Sequence, residues 1–308
     1  MAIQEENIEN KNNSTSGKKK IRNPHALGIL FVIIDSLGFS LMALNVRLAG
    51  NLPVMQKAFF RNAIAAAIAL IALARTPEKF HIKKGNGKDL FFRALFGTLG
   101  LIMNFWAIGH LGLADANILN KMSPFFAILA SIIILNEIPG RFDITAILIS
   151  FIGALFIIKP TAGIASLPSL VGLCSGLCAG IAYTFVRKLG NEGERGPVIV
   201  AYFSVFSCIV CIPQMIIDFH PISGKQWICL ILAGVFAAIG QFAVTTAYRL
   251  APAREISVFD YSQVCFASIW GFMFFDELPD RLSVIGYVII VSISVIKWYY
   301  NVIYKKAK

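Results

Sequence analysis

Lys121, Asp35 and Asp260 are ionisable residues set inside long apolar stretches. At membrane depth each such group is costly enough to require a partner or a function. Asn117, Asn120, Lys121 and Pro124 recur at three- and four-residue spacing, which places them on one face of a helix. The segment 140 residues later repeats the pattern with Ser257, Asp260, Tyr261 and Val264. Two such faces turned toward a common cavity could hold the charges of a small solute or pass a proton between carboxylates. At about 1.5 Å rise per residue Lys121 and Asp260 differ in depth by roughly 10 Å. A direct ion pair is therefore not required, and Asp35, near the midplane, is an equally good partner for Lys121. The competing account is that Lys121 snorkels outward and that hydroxyls or amides hold the aspartates.

Asn104, Gln241 and Thr245 can add hydrogen bonds from neighbouring helices, as substrate contacts or as interhelical glue. Tyr183 can stack on a planar solute, whereas Trp106 sits where interfacial belts are found. Arg61 lies about as deep as Lys121, and snorkelling or helix pairing is expected of it ahead of solute contact. Gly97, Gly100, Gly176, Gly180, Gly234 and Gly240 favour close helix approach first and bending second. Glu137 and Glu277, beside Pro139 and Pro279, mark places where helices end.

Enzymatic chemistry is not expected. His25, His81, His110 and His220 are far apart, and no GxSxG, HExxH or P-loop occurs. No cofactor or metal is implied, and the missing P-loop argues against intrinsic ATP-driven transport. The six cysteines all lie in apolar runs, so the CxxC spacing of Cys208 and Cys211 reads as packing rather than a redox pair.

The elements that position these residues follow from composition. The chain of 308 residues is 57% hydrophobic and only 15% charged, with a mean hydropathy of +0.71. Soluble domains carry about 25% charged residues. The apolar runs are about 18–22 residues long, enough to cross the hydrocarbon core, and continuous rather than alternating, which selects helices over a barrel. An all-α integral membrane protein of ten spans results, at 26–46, 54–74, 91–110, 114–135, 142–159, 168–187, 197–217, 227–249, 252–275 and 282–302.

The net charge of +11 is a topology signal, because the basic residues lie between spans and at the ends. Nucleic acid is excluded as a partner, since no basic patch interleaved with aromatics lies outside a span. With the N-terminus inside, 19 Lys and Arg residues fall on the inner side and five on the outer, which places both termini in the cytoplasm. Residues 1–24 read as a disordered tail, not a cleaved signal; residues 303–308 form a basic tail.

Residues 93–159 slide onto 233–299 without gaps. The loop LNEIPGR (135–141) meets FDELPDR (275–281), Gly100 meets Gly240, Asp115 meets Glu255 and Asn120 meets Asp260. Five spans per unit is an odd number, so the second unit (166–302) inserts upside down relative to the first (25–160). Inverted repeats of this kind are typical of secondary transporters, because they offer two nearly equivalent packings, one open to each side. A channel or receptor is the weaker reading. The expected partners are the bilayer, a small-molecule substrate and a coupling ion such as a proton, or a counter-substrate.

FFRN (59–62), LGLADANILNKMSPFFAILASIIILNE (111–137), GLCAGIAYTFVRKLG (176–190) and FFDELPDR (274–281) resemble the EamA-type branch of the drug/metabolite transporter superfamily. The resemblance covers about residues 26–302. It implies ten helices in two EamA units and transport of a metabolite, an amino acid or related compound, across the inner membrane. The FDELPD ending and the pattern of spans four and nine are also similar to S-adenosylmethionine uptake carriers and amino-acid exporters of that superfamily. Val264 stands where the first unit has Pro124, so of these two spans only the fourth is expected to carry a proline kink.

Overall fold

The computed structural model describes residues 24–136, 138–158, 166–250 and 257–300. The two tails, Glu137, the 159–165 linker and the start of span nine, with Arg254 and Glu255, lie outside the described residues, as does the side chain of Ser257.

The apolar runs are helices because in lipid only intrahelical bonding satisfies every backbone N–H and C=O of a single segment. Spans one to three are Pro24–Leu48, Val54–Ala74 and Gly87–His110. Span four is two helices, Leu113–Asn120 and Ser123–Ile134, and span five is Arg141–Ile158. Spans six to eight are Leu167–Asn191, Gly196–Ile217 and Gly224–Leu250. Span nine comprises a 3₁₀ turn at Ser257–Tyr261 and the helix Ser262–Phe275, and span ten is Arg281–Tyr299. Among the described residues, nine segments are long and apolar enough to cross a bilayer; the split span nine completes the ten.

The 140-residue offset seen at the loops extends to every span, within three residues at each described helix start. Packing obeys the same exchange. Span one lies against span eight as span three lies against span six, and span one against nine as span six against four. Spans two and seven pair with each other, as do five and ten. This pattern requires a pseudo-twofold that swaps the halves, so the polar centre is built from both. The apolar core divides accordingly, with one cluster of spans one, three and eight around Phe39, Phe105 and Val244, and another around Ile118, Phe125, Tyr261 and Ile290.

The proline difference does not make span four the only one of the two to depart from a continuous α-helix. Both spans break, and at corresponding places: Lys121–Met122 in the first unit and Ser257–Tyr261 in the second. Pro124 occupies the first turn of the helix Ser123–Ile134, where its missing N–H costs little. The 3₁₀ turn of span nine holds no proline, and a polar group from another helix takes up part of its backbone. Ser36 Oγ donates to the Asp260 carbonyl at 3.2 Å. At the other break, Phe125 N bonds to the Met122 carbonyl, and Tyr261 Oη donates to the Lys121 carbonyl at 3.1 Å. Gly176 and Gly180 of span six press on the same break. A Cβ on either would fall 2.6 Å from the Leu119 carbonyl oxygen and 2.7 Å from that of Ser123, respectively.

Candidate functional site

The two breaks meet. Lys121 Nζ lies 2.5 Å from Asp260 Oδ1, both side chains being 5% exposed. The depth difference inferred from helical rise assumed unbroken spans; interruption at these residues removes it. Ser36 Oγ also reaches Asp260 Oδ1 at 3.4 Å. Asp35, fully buried, is within electrostatic reach of both Lys121 and Asp260, and neither of its oxygens has a well-formed hydrogen bond. Lys121 does not snorkel; it is held between spans one, four and nine.

Beside this group lies a cavity of about 70 Å³, with Asn104, Asn120, Lys121, Tyr183 and Gln241 in its walls. Asn120 Nδ2 donates to Ser175 Oγ of span six at 3.0 Å. Asn117 and Tyr261 sit outside the cavity wall, in the packing between spans four and nine. Asn117 accepts a hydrogen bond from Gln263, and Tyr261 caps the break. Thr245 is buried but not in the wall, and Trp106 stacks on His110 with centroids 4.0 Å apart, away from the cavity. Of Ser257 only the backbone is described.

Arg61, Arg93, Phe203 and Gln263 are among the wall residues that escaped the sequence reading or were set aside by it. Arg61 is 1% exposed and does not reach the surface; its Nε donates to Met42 Sδ at 3.4 Å and its Nη1 to Asn62. Arg93 is one of the 19 basic residues that the charge bias assigns to the inner side, yet it is 3% exposed. Its Nη2 donates to Gln241 Oε1 at 3.3 Å, and its Nη1 fills the space left by Gly97, one turn on. Only the three apolar residues Leu90, Phe91 and Phe92, which separate it from Lys88 and Asp89, could have signalled this.

The ends of the bundle are tied by ions. At one end Glu277 pairs with Arg47, accepts Leu113 N–H at 3.0 Å and so joins the ends of spans one and nine to the start of span four. Arg47 also donates to the Leu111 carbonyl at 3.0 Å. At the other end Lys188 lies 2.8 Å from Asp89, Lys297 3.2 Å from Asp143, and Arg195 donates to the Lys79 carbonyl at 2.6 Å. A cleft of about 290 Å³ opens beside Glu277. Its polar groups already satisfy one another, Tyr287 Oη donating to Asp115 at 2.7 Å. The central cavity is different: Arg93 Nε, Asn104 Oδ1 and Gln263 Oε1 in its wall are buried without a hydrogen-bond partner. Such groups cost about 1–3 kcal/mol each when left unpaired, which identifies the smaller cavity as the candidate site.

Comparison with known proteins agrees with this architecture. The chain is 35% identical over 267 residues to the pseudopaline exporter CntI of Pseudomonas aeruginosa, covering 86% of this chain and 93% of that one. It is 25% identical over 275 residues to a riboflavin transporter of Vibrio cholerae, covering 87% and 89% of the two chains. A solved crystal structure with 17% identity superposes with a TM-score of 0.64 over 87% of this chain and 95% of the other, which shows a shared fold. The model of the EamA-like transporter family matches residues 26–159 and again residues 167–296, one match for each five-span unit. The protein is a multi-pass membrane protein and belongs to the EamA-like transporter family.

Proposed function

We propose that this chain is a secondary transporter that moves a small organic metabolite, an amino acid or related compound, across the bacterial inner membrane by alternating access. The observation that carries the reading is the buried ion pair joining Lys121 to Asp260 at the two helix breaks. Broken helices that meet at mid-membrane are a recurrent way to build a transport site, because they free backbone groups and charges at a place lipid cannot reach. Asp35, Lys121 and Asp260 form the group that responds to substrate or to a coupling proton, and Asn104, Asn120, Tyr183 and Gln241 orient the solute beside it. Alternating access requires the halves to part around the central cavity for substrate to enter and leave. The charge bias of the loops puts both termini in the cytoplasm and the Arg47–Glu277 tie on the outside. Likeness to the pseudopaline exporter favours export as the direction.

The test is counterflow in proteoliposomes with labelled amino acids and S-adenosylmethionine, with and without a pH gradient. Saturable counterflow by the wild type, lost in Asp260→Asn with membrane insertion intact, is expected. Flux through a leak that shows no counterflow would replace the carrier with a pore. Wild-type kinetics in Asp260→Asn would remove the ion pair from the mechanism.

A further inference from the structure

Arg61 and Arg93 come from different helices and approach the same ring. The Arg93 guanidinium carbon lies 4.5 Å from the Phe203 centroid and that of Arg61 5.8 Å from it. The two guanidinium groups are within electrostatic reach of each other. Neither forms an ion pair with a carboxylate among the described residues. Their polar contacts are neutral: Met42 and Asn62 for Arg61, Gln241 for Arg93. Burying an ion is costly, and a cation–π contact returns only part of that cost. The arrangement is therefore uncompensated twice over, at adjacent positions, in the wall of the candidate site. The unpartnered Arg93 Nε and Asn104 Oδ1 belong to the same wall. Among the described residues the centre holds three basic side chains (Arg61, Arg93 and Lys121) against two acidic ones, Asp35 and Asp260.

We infer that Arg61 and Arg93 form the substrate-anion subsite, which takes a carboxylate of an acidic, amino-acid-like metabolite. Guanidinium groups present flat, paired N–H donors that match a carboxylate. Phe203 lies near both guanidinium groups, and Asn104 stands ready for a donor elsewhere on the solute. An ammonium on the same solute would be drawn to Asp35, whose oxygens lack a well-formed hydrogen bond. The inference rests on the transport reading for the identity of the cavity, and it narrows the substrate to compounds of net negative charge. S-adenosylmethionine and basic amino acids, which add a further cation to the same α-carboxylate, are disfavoured by the positive charge of the wall.

The test is a thermal-unfolding series on the purified full-length protein with glutamate, succinate, glutamine, lysine, S-adenosylmethionine and inorganic phosphate. Glutamate or succinate should raise the Tm saturably, and lysine and S-adenosylmethionine should not. Arg61→Gln and Arg93→Gln should each weaken that response at least tenfold. Their unliganded Tm should equal or exceed that of the wild type, since an uncompensated charge has been removed; a purely structural arginine would give a fall. Arg93→Lys keeps the charge but not the fork and should respond between the two. Failure of every carboxylate to shift the wild type, an equal shift in the glutamine variants, or a response to a cation or phosphate alone would each overturn the subsite. Counterflow separates this inference from the one beneath it. Carboxylate shifts that vanish in both variants, with no counterflow of any compound, would leave the anion subsite standing and remove transport. Counterflow of a neutral or cationic solute that persists in both variants would do the reverse.

Discussion

Lys121 and Asp260 stabilise each other only as a pair. Removing one partner leaves a buried charge, at a cost of about 3–5 kcal/mol, whereas replacing both by neutral groups of similar shape is often neutral or stabilising. Lys121→Met and Asp260→Asn should therefore each lower the Tm of the purified protein sharply, and the double variant should recover most of the loss. Transport should stay absent in all three. Recovery of transport together with stability would make the pair a structural bolt and nothing more. The ionisable residues of this centre were legible because charge is rare in apolar runs, and Asp35, Lys121 and Asp260 do come together. Arg93 was not legible in the same way. It follows Lys83, Lys84 and Lys88, and a basic residue near a basic loop is counted as a topology signal until its side chain is seen to point inward.

Among the elements, the broken spans carry the site, and what holds them broken is open to test. Tyr261→Phe removes the donor to the Lys121 carbonyl, a buried acceptor whose loss of partner costs about 1–3 kcal/mol. The variant should unfold at a lower temperature while Lys121 and Asp260 remain in place. Gly176→Ala should also destabilise, because its Cβ would meet the Leu119 carbonyl oxygen at 2.6 Å, and backbone cannot step aside as a flexible side chain can. An unchanged Tm in both would mean that the break is an intrinsic preference of the segment. Span positions were readable from hydropathy because the lipid imposes a length. The break in span nine was not, because no residue in SVFDY is a helix breaker of proline's strength; the polar partner of its backbone, Ser36, lies far away in sequence.

At the scale of the whole molecule, two similar halves give two similar packings, and the ion pairs at the ends bias the balance between them. Glu277→Gln removes the charge that ties Arg47 to the start of span four. In a cysteine-free background, Met42→Cys should then react faster with a membrane-impermeant maleimide added from outside, and an unchanged rate would show that this tie does not control access. The pseudo-twofold itself was legible from the two loops alone, since LNEIPGR and FDELPDR keep their register. The symmetry is one of backbone more than of chemistry. Asn120 corresponds to Asp260 and Lys121 to Tyr261, so the central pair joins positions that are not equivalents. Two copies of the first half would set lysine against asparagine at both breaks, and two copies of the second would set aspartate against tyrosine. Neither half could rebuild the centre from itself. Whatever ancestral duplication produced them, the halves have since become complementary, and their fusion in one polypeptide has turned from a convenience of synthesis into a requirement for having a site at all.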